Sequence, residues 1–287
     1  MSSLAEEARS VLASLGTSPN KRFSQNFMVD AQALSSVAEL ILTEAGRLGS
    51  SEVLEIGPGL GFLTRRLIAR GFRVTAVEKD RRLAAHLSKI YAPENLTVIR
   101  ADLLKFDLDG HDGIIGPVCV VGNIPYSITT PIFEWIIDRR HRILKAVLTV
   151  QREVAEWVTA KPGGKAWGAL SVFMQFYGDV RIERKIGRNS FLPCPSVDSA
   201  VLGMDILKDG RFAVKNQKTF FHVVHTAFQH RRKTIENALS MKYSGFIGKT
   251  KKQMCPFFEK AGICPSQRPE TLTLEQWARL ADLIEGD

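Results

Sequence analysis

Between residues 52 and 151 the chain alternates short, nearly unbroken apolar runs with stretches whose apolar positions recur at helical spacing. The runs 52–56, 73–77, 96–99, 118–121 and 146–150 lack the in-and-out alternation of a half-exposed strand. That pattern suits parallel strands covered on both faces. Residues 63–70, 81–91 and 131–139 read as helices between them, with Pro131 suited to a first helical turn. Repeated βα units predict an α/β fold built on an open, doubly wound, mostly parallel sheet.

Further along, 152–160 and 169–176 read as helices separated by the turn Pro162-Gly163-Gly164. Residues 180–186 and 200–207 then look like an antiparallel pair joined through Phe191-Leu192-Pro193-Cys194-Pro195-Ser196, a proline-stiffened loop. Lys208-Asp209-Gly210 is the best linker, and beyond it 217–241 and 274–284 read as helices with no strand signal between them. The expected domains are therefore 1–207, with a helical extension over 1–20, and a small all-α domain over 208–287. There is no internal repeat and no low-complexity tract.

At 287 residues, with 45% hydrophobic and 24% charged positions, the chain has an ordinary globular composition. No run approaches the roughly 18 to 20 apolar residues of a membrane span. Residues 1–15 carry Glu6, Glu7 and Arg9 among apolar positions, an amphipathic helix and not a secretory signal, so a cytoplasmic protein is expected. Cys119, Cys194, Cys255 and Cys264 fall in no metal-ligand spacing, and His222, His225 and His230 have no nearby carboxylate or cysteine to complete a set. No metal site is expected. The net charge of +9 is concentrated: residues 208–260 hold 12 Lys and Arg against 3 Asp and Glu. A basic patch of this kind is the footprint of a polyanion partner.

Where the first strand ends stands Glu55-Ile56-Gly57-Pro58-Gly59-Leu60-Gly61. Glycines there let the backbone turn tightly and approach a ligand. The third glycine comes one residue earlier than a dinucleotide fingerprint wants, and no basic residue lies in the turn, so a pyrophosphate is disfavoured. Glu78 closes the second strand, where a carboxylate can accept ribose hydroxyls, and Asp102 follows the third, placed to accept an adenine amino proton. S-adenosylmethionine fits this set, its sulfonium and amino groups welcoming carboxylates such as Glu55.

After the fourth apolar run comes Asn123-Ile124-Pro125-Tyr126. The Asn123 side-chain oxygen and the carbonyl of Ile124 or Pro125 can accept the two hydrogens of an exocyclic amine, drawing electron density onto its nitrogen. Tyr126 can stack on the base, and Phe191 on its stiff loop offers a second stacking face. Such a base must be flipped or unpaired to reach the pocket.

These residues resemble the ribosomal RNA adenine N6,N6-dimethyltransferases. The likeness runs from Lys21-Arg22-Phe23-Ser24-Gln25-Asn26-Phe27-Met28 through the two strand-end motifs to Phe191–Ala200 and to Phe228-Gln229-His230-Arg231-Arg232-Lys233-Thr234-Ile235. It implies a Rossmann-like S-adenosylmethionine-dependent methyltransferase sheet with an antiparallel final hairpin and a small all-α C-terminal domain. It also implies that Gln25, Asn26 and Met28 contact the cofactor together with Glu55, Gly57, Gly59, Glu78, Lys79, Asp102, Leu103 and Asn123. Asn123, Pro125 and Tyr126 would hold the target adenine, and Arg231, Arg232 and Lys233 the RNA. The basic run looks more like the bacterial small-subunit branch, whose implied targets are two adjacent adenines in a hairpin loop near the 3′ end of 16S rRNA in an immature 30S particle; nothing in the sequence requires more than a monomer. Ile124, familiar also from the macrolide-resistance branch acting on 23S rRNA, and Cys194 in place of a more usual proline depart from that pattern. The alternatives are that large-subunit activity, a DNA adenine methyltransferase, and a non-catalytic ribosome-assembly factor.

Overall fold

A computed structural model of the chain describes residues 3–20, 23–48, 52–111, 113–114, 116–240 and 250–286. Lys21 and Arg22 of the N-terminal motif, and Met241 at the end of the expected helix 217–241, lie outside the described residues.

Helix α1 (Leu4–Ser14) opens on a capping box: the Ser3 hydroxyl accepts from the Glu6 N–H, and the Glu6 carboxylate accepts from the Ser3 N–H. There follow β1 (Phe27–Met28), α2 (Ala31–Leu48), β2 (Glu52–Ile56), α3 (Phe62–Ile68), β3 (Arg73–Glu78), α4 (Arg81–Ile90), β4 (Leu96–Arg100), β5 (Val118–Asn123), α5 (Thr129–Asp138) and β6 (Ile143–Gln151). The chain continues through α6 (Arg152–Val158), α7 (Ala169–Tyr177), β7 (Gly178–Ile186), β8 (Phe191–Leu192) and β9 (Ser199–Ile206), then α8 (Gln217–Gln229), α9 (Ile235–Leu239), α10 (Lys251–Ala261) and α11 (Leu274–Glu285).

Seven of the described strands form one sheet in the order β4-β3-β2-β5-β6-β9-β7. β4, β3, β2, β5 and β6 run parallel, and β9 lies antiparallel to β6. Four of the five apolar runs are buried as expected, with Val53, Leu54, Val120 and Val121 at or near zero exposure; the run 96–99 is not, because β4 is an edge strand, where Thr97 is exposed and Val98 and Ile99 are half-buried. Strand order reverses on either side of β2, and in open sheets of this kind the crevice beyond the carboxyl ends at such a switch point receives the ligand. β1 and β8 make a separate two-stranded ladder pairing Phe27 with Leu192 and Met28 with Phe191.

The chain divides into two compact units, Met1–Ala155 with Arg181–Ile206 and Glu156–Val180 with Leu207–Asp287. The expected boundary after residue 207 thus needs correction, because 156–180 packs with the C-terminal helices. Within that unit, Phe173, Phe176 and Tyr177 of α7 interleave with Phe220 and Phe221 of α8 at ring separations of 4.8 to 5.6 Å. Trp167 is buried and donates through Nε1 to the Leu272 carbonyl at 3.1 Å. The expected helix 217–241 is also broken. α8 stops at Gln229, and α9 restarts behind Thr234, whose hydroxyl accepts from the Asn237 N–H.

Candidate active site

A cavity opens at the carboxyl ends of β2, β3 and β5, where the strand-end motifs converge. After β2 the chain turns through Gly57 and Gly61, both in the left-handed region (φ +61° and +79°). A methyl group at Gly57 would meet nothing within 4 Å, since this glycine faces the cavity. At Gly61, which caps α3, a methyl would come within 2.5 Å of Leu87 on α4. The early third glycine therefore serves helix packing, and Gly57 serves the cavity.

Two carboxylates lie beneath this turn. Glu78 is buried and stapled at both oxygens: Oε2 accepts from the Gly59 N–H at 3.1 Å and Oε1 from the Asp80 N–H at 2.8 Å. Burial pushes its carboxyl above the ordinary range. Glu55 is 2% exposed and accepts from the Thr64 hydroxyl at 2.6 Å. Burial, with the nearby Glu78 charge, pushes its carboxyl up to about 7. Asp102 sits at the rim of the same cavity, accepting from the Leu104 N–H and from Lys79 Nζ at 2.8 Å. The Lys79 ammonium holds its carboxyl below the usual range. Lys79 also stands over the Phe23 ring, 5.8 Å from its centroid. Among the described lining residues it is the one basic side chain, and it is already paired.

At the end of β5, Asn123 Nδ2 donates to the Asn26 main-chain carbonyl at 2.6 Å. The next residue is pinned to the neighbouring strand by its N–H, which Thr149 accepts at 2.9 Å. The Pro125 carbonyl accepts from the Ile128 N–H at 3.1 Å, closing a 3₁₀ turn over Tyr126–Ile128. Of the two carbonyls weighed from the sequence, Pro125 is thus engaged in its own turn. The Tyr126 hydroxyl is 2.6 Å from Ser199 Oγ on β9, and burial pushes the phenol above its ordinary range.

The segment Phe23-Ser24-Gln25-Asn26-Phe27-Met28 lines the cavity from the N-terminal side. Its shape is held by the Gln25 side chain, which accepts from the Asn20 N–H and donates to Asp80, and by a 3.2 Å contact between the Ser24 and Ser127 hydroxyls. Gln25, Asn26, Met28, Glu55, Gly57, Gly59, Glu78, Lys79, Asp102, Leu103, Asn123, Pro125 and Tyr126 therefore share one cavity, as the sequence motifs imply. Phe191 does not line it. Its ring is 3% exposed in the core beside Phe27 and Met28, because its strand pairs with β1. Phe23, inside the N-terminal motif but given no role of its own, also lines the cavity, as do Ser127, which adjoins the Asn123–Tyr126 motif, and Thr149, which strand pairing alone brings in.

In the second unit, Arg231 is exposed yet committed. Its Nη2 donates to the Lys165 and Trp167 carbonyls at 2.7 and 3.0 Å and stands 3.5 Å from Glu270. Arg232 and Lys233 are exposed in the turn between α8 and α9. Among the described residues no cluster of three or more His, Cys, Asp or Glu could hold a metal ion, and no helix is long and apolar enough to cross a membrane.

A family model described as Ribosomal RNA adenine dimethylase matches residues 16–285. The chain is similar to Ribosomal RNA small subunit methyltransferase A of Clostridium botulinum, with 38% identity over 266 residues, 92% of this chain and 94% of that protein. It is similar to the protein of the same name from Moorella thermoacetica at 39% over 280 residues, 94% of each. Among solved structures, the 23S rRNA methyltransferase ErmE superposes with a TM-score of 0.68 at 27% identity, covering 91% of this chain and 100% of that one. A dimethyladenosine transferase from Plasmodium falciparum shares the fold, with a TM-score of 0.70 at 24% identity over 85% of this chain and 94% of that one.

Proposed function

The chain belongs to the ribosomal RNA adenine dimethylase family, and on that premise we propose that it dimethylates N6 of two adjacent adenines in a hairpin loop near the 3′ end of small-subunit rRNA. The donor is S-adenosylmethionine, which when bound supplies an electrophilic methyl group on a sulfonium. The cavity suits it. The open space over Gly57 leaves room for close backbone approach, and the buried pair Glu55 and Glu78 suits a cation and ribose hydroxyls. Among the described lining residues the single lysine, already paired, offers nothing to a pyrophosphate.

The observation that carries the reading is the engagement of Asn123 and Pro125. With Nδ2 bonded to Asn26, the Asn123 side chain has Oδ1 to offer as acceptor; with the Pro125 carbonyl in its own turn, Ile124 is favoured for the second. Two acceptors on the two amino hydrogens localise the N6 lone pair for attack. Tyr126, tethered through Ser199, stacks on the ring and fixes the approach. Nitrogen gains a methyl group and releases its proton to water, so positioning and electrostatics supply the catalysis without a strong base. One hydrogen remains after the first transfer, so the same acceptors serve the second.

The small-subunit assignment rests on the higher identity to relatives of that name than to the large-subunit enzyme. The proposal extends to a monomer acting in the cytoplasm on an immature small subunit, with Arg232 and Lys233 gripping the RNA. Primer extension across rRNA from cells lacking this protein tests it. Restoring the gene should restore a stop at adjacent adenines near the small-subunit 3′ end; a stop restored only in large-subunit rRNA would refute it.

A further inference from the structure

Glu55 lines the cavity, but what holds its carboxyl comes from elsewhere. The Thr64 hydroxyl donates to Oε2 at 2.6 Å from the first turn of α3. Thr64 is itself fully buried and is not a cavity wall. The Thr64 main-chain N–H also favours the charge, and the other groups around Glu55 disfavour it. Glu78 on β3 repels it, and Tyr91, at the end of α4, is a phenol that the Glu55 charge helps to keep neutral. The register partner on β5 is Val121, the N-terminal segment Phe23–Met28 has no ionisable side chain, and Arg65 of α3 is engaged with Glu7 at 2.8 Å. Burial thus drives the carboxyl up to about 7, and the Thr64 hydrogen bond opposes it. Removing that bond therefore protonates Glu55 further at neutral pH.

We propose that Thr64 is a positioning residue for the cofactor: its hydroxyl orients the Glu55 carboxyl and keeps it charged enough to hold the ammonium group of the donor's methionine moiety. This rests on the reading of Glu55 as cofactor-facing. Cofactor affinity then rises with pH across neutrality, and Thr64 sets where the rise occurs. A hydrogen bond to a charged group is large enough to move a carboxyl by about one pH unit. Losing it halves nothing at high pH but leaves about fivefold less charged Glu55 at pH 7.

The experiment is calorimetric binding of S-adenosylhomocysteine to the full chain from pH 5.5 to 8.5, which needs no turnover. Wild-type affinity should climb through neutral pH. Thr64→Val should bind about fivefold more weakly at pH 7 and return to within about twofold by pH 8.5, while Thr64→Ser should follow wild type. Glu55→Gln should bind weakly with a flat profile. A Thr64→Val profile identical to wild type, or one lowered equally at every pH, overturns the positioning role. A Glu55→Gln profile identical to wild type overturns the underlying reading of Glu55 instead. Should Thr64→Val lack a cooperative melt, Thr64→Cys, a weaker donor of similar size, takes its place: an upward displacement of the profile supports the role and an unmoved one overturns it.

Discussion

Asn123 Nδ2 and the Asn26 carbonyl are 2.6 Å apart, a bond that joins the end of β5 to the N-terminal segment lining the same cavity. It orients the amide so that its oxygen is what a substrate amine can find. Asn123→Ala should therefore lose at least about a hundredfold in kcat/KM, in the range seen when a preorganised transition-state hydrogen bond is removed. Binding to small subunits should persist, since the basic turn is untouched. Labelled methyl transfer beside filter binding measures both; transfer at the wild-type rate would sink the role given to Asn123.

Gly57 and Gly61 separate stability from binding. A methyl at Gly57 has space, so Gly57→Ala should lose only the left-handed strain, about 1–2 kcal/mol, while obstructing the cofactor by roughly tenfold or more. A methyl at Gly61 would meet Leu87 at 2.5 Å, so Gly61→Ala should add a packing cost of about 1–3 kcal/mol to the same strain. Urea midpoints with S-adenosylhomocysteine calorimetry distinguish them. Equal losses of stability would contradict the assignment.

Glu55 also makes stability depend on pH. Its carboxyl is held near 7 in the folded chain against 4.5 when exposed, so the folded state carries an extra proton between those values. Stability must then fall as pH rises through that window, leaving a cost on the order of 3 kcal/mol above it. Glu55→Gln should melt higher than wild type at pH 8, with the advantage shrinking toward pH 5. A difference in melting temperature that does not change with pH would show that Glu55 is ionised throughout.

Arg231 and its neighbours should part company. Arg232→Ala with Lys233→Ala should weaken RNA binding and reduce the slope of log affinity against log salt by about one to two, without moving the melt. Arg231→Ala leaves two carbonyls without their donor and should cost about 1–3 kcal/mol of stability in addition. Salt-series binding and thermal melts of the two proteins decide the matter. Identical behaviour would remove the distinction.

The sheet was legible because a strand buried on both faces must be apolar at every position, as Val118 to Val121 are. The cavity residues were legible because strand ends carry them in order. What stayed hidden is tertiary. Nothing local in His230-Arg231-Arg232-Lys233 marks the break between α8 and α9, since it contains neither glycine nor proline. The pull of 156–180 toward the C-terminal unit depends on aromatic partners more than 40 residues away, as Phe176 and Phe220 show. Phe191 on its proline loop reads equally as a stacking ring or a core ring until its pairing with Met28 is seen. Helix α2 is a different case: Ala33, Leu34, Val37, Ala38 and Ile41 bury one helical face at a spacing the sequence itself displays.

Tritiated S-adenosylmethionine with small ribosomal subunits lacking the modification, followed by digestion to nucleosides, shows directly what the chain methylates. Label is expected in N6,N6-dimethyladenosine from small-subunit rRNA, abolished by Asn123→Ala. Label that stops at monomethyladenosine, appears in another nucleoside, or is found only with large subunits would contradict it.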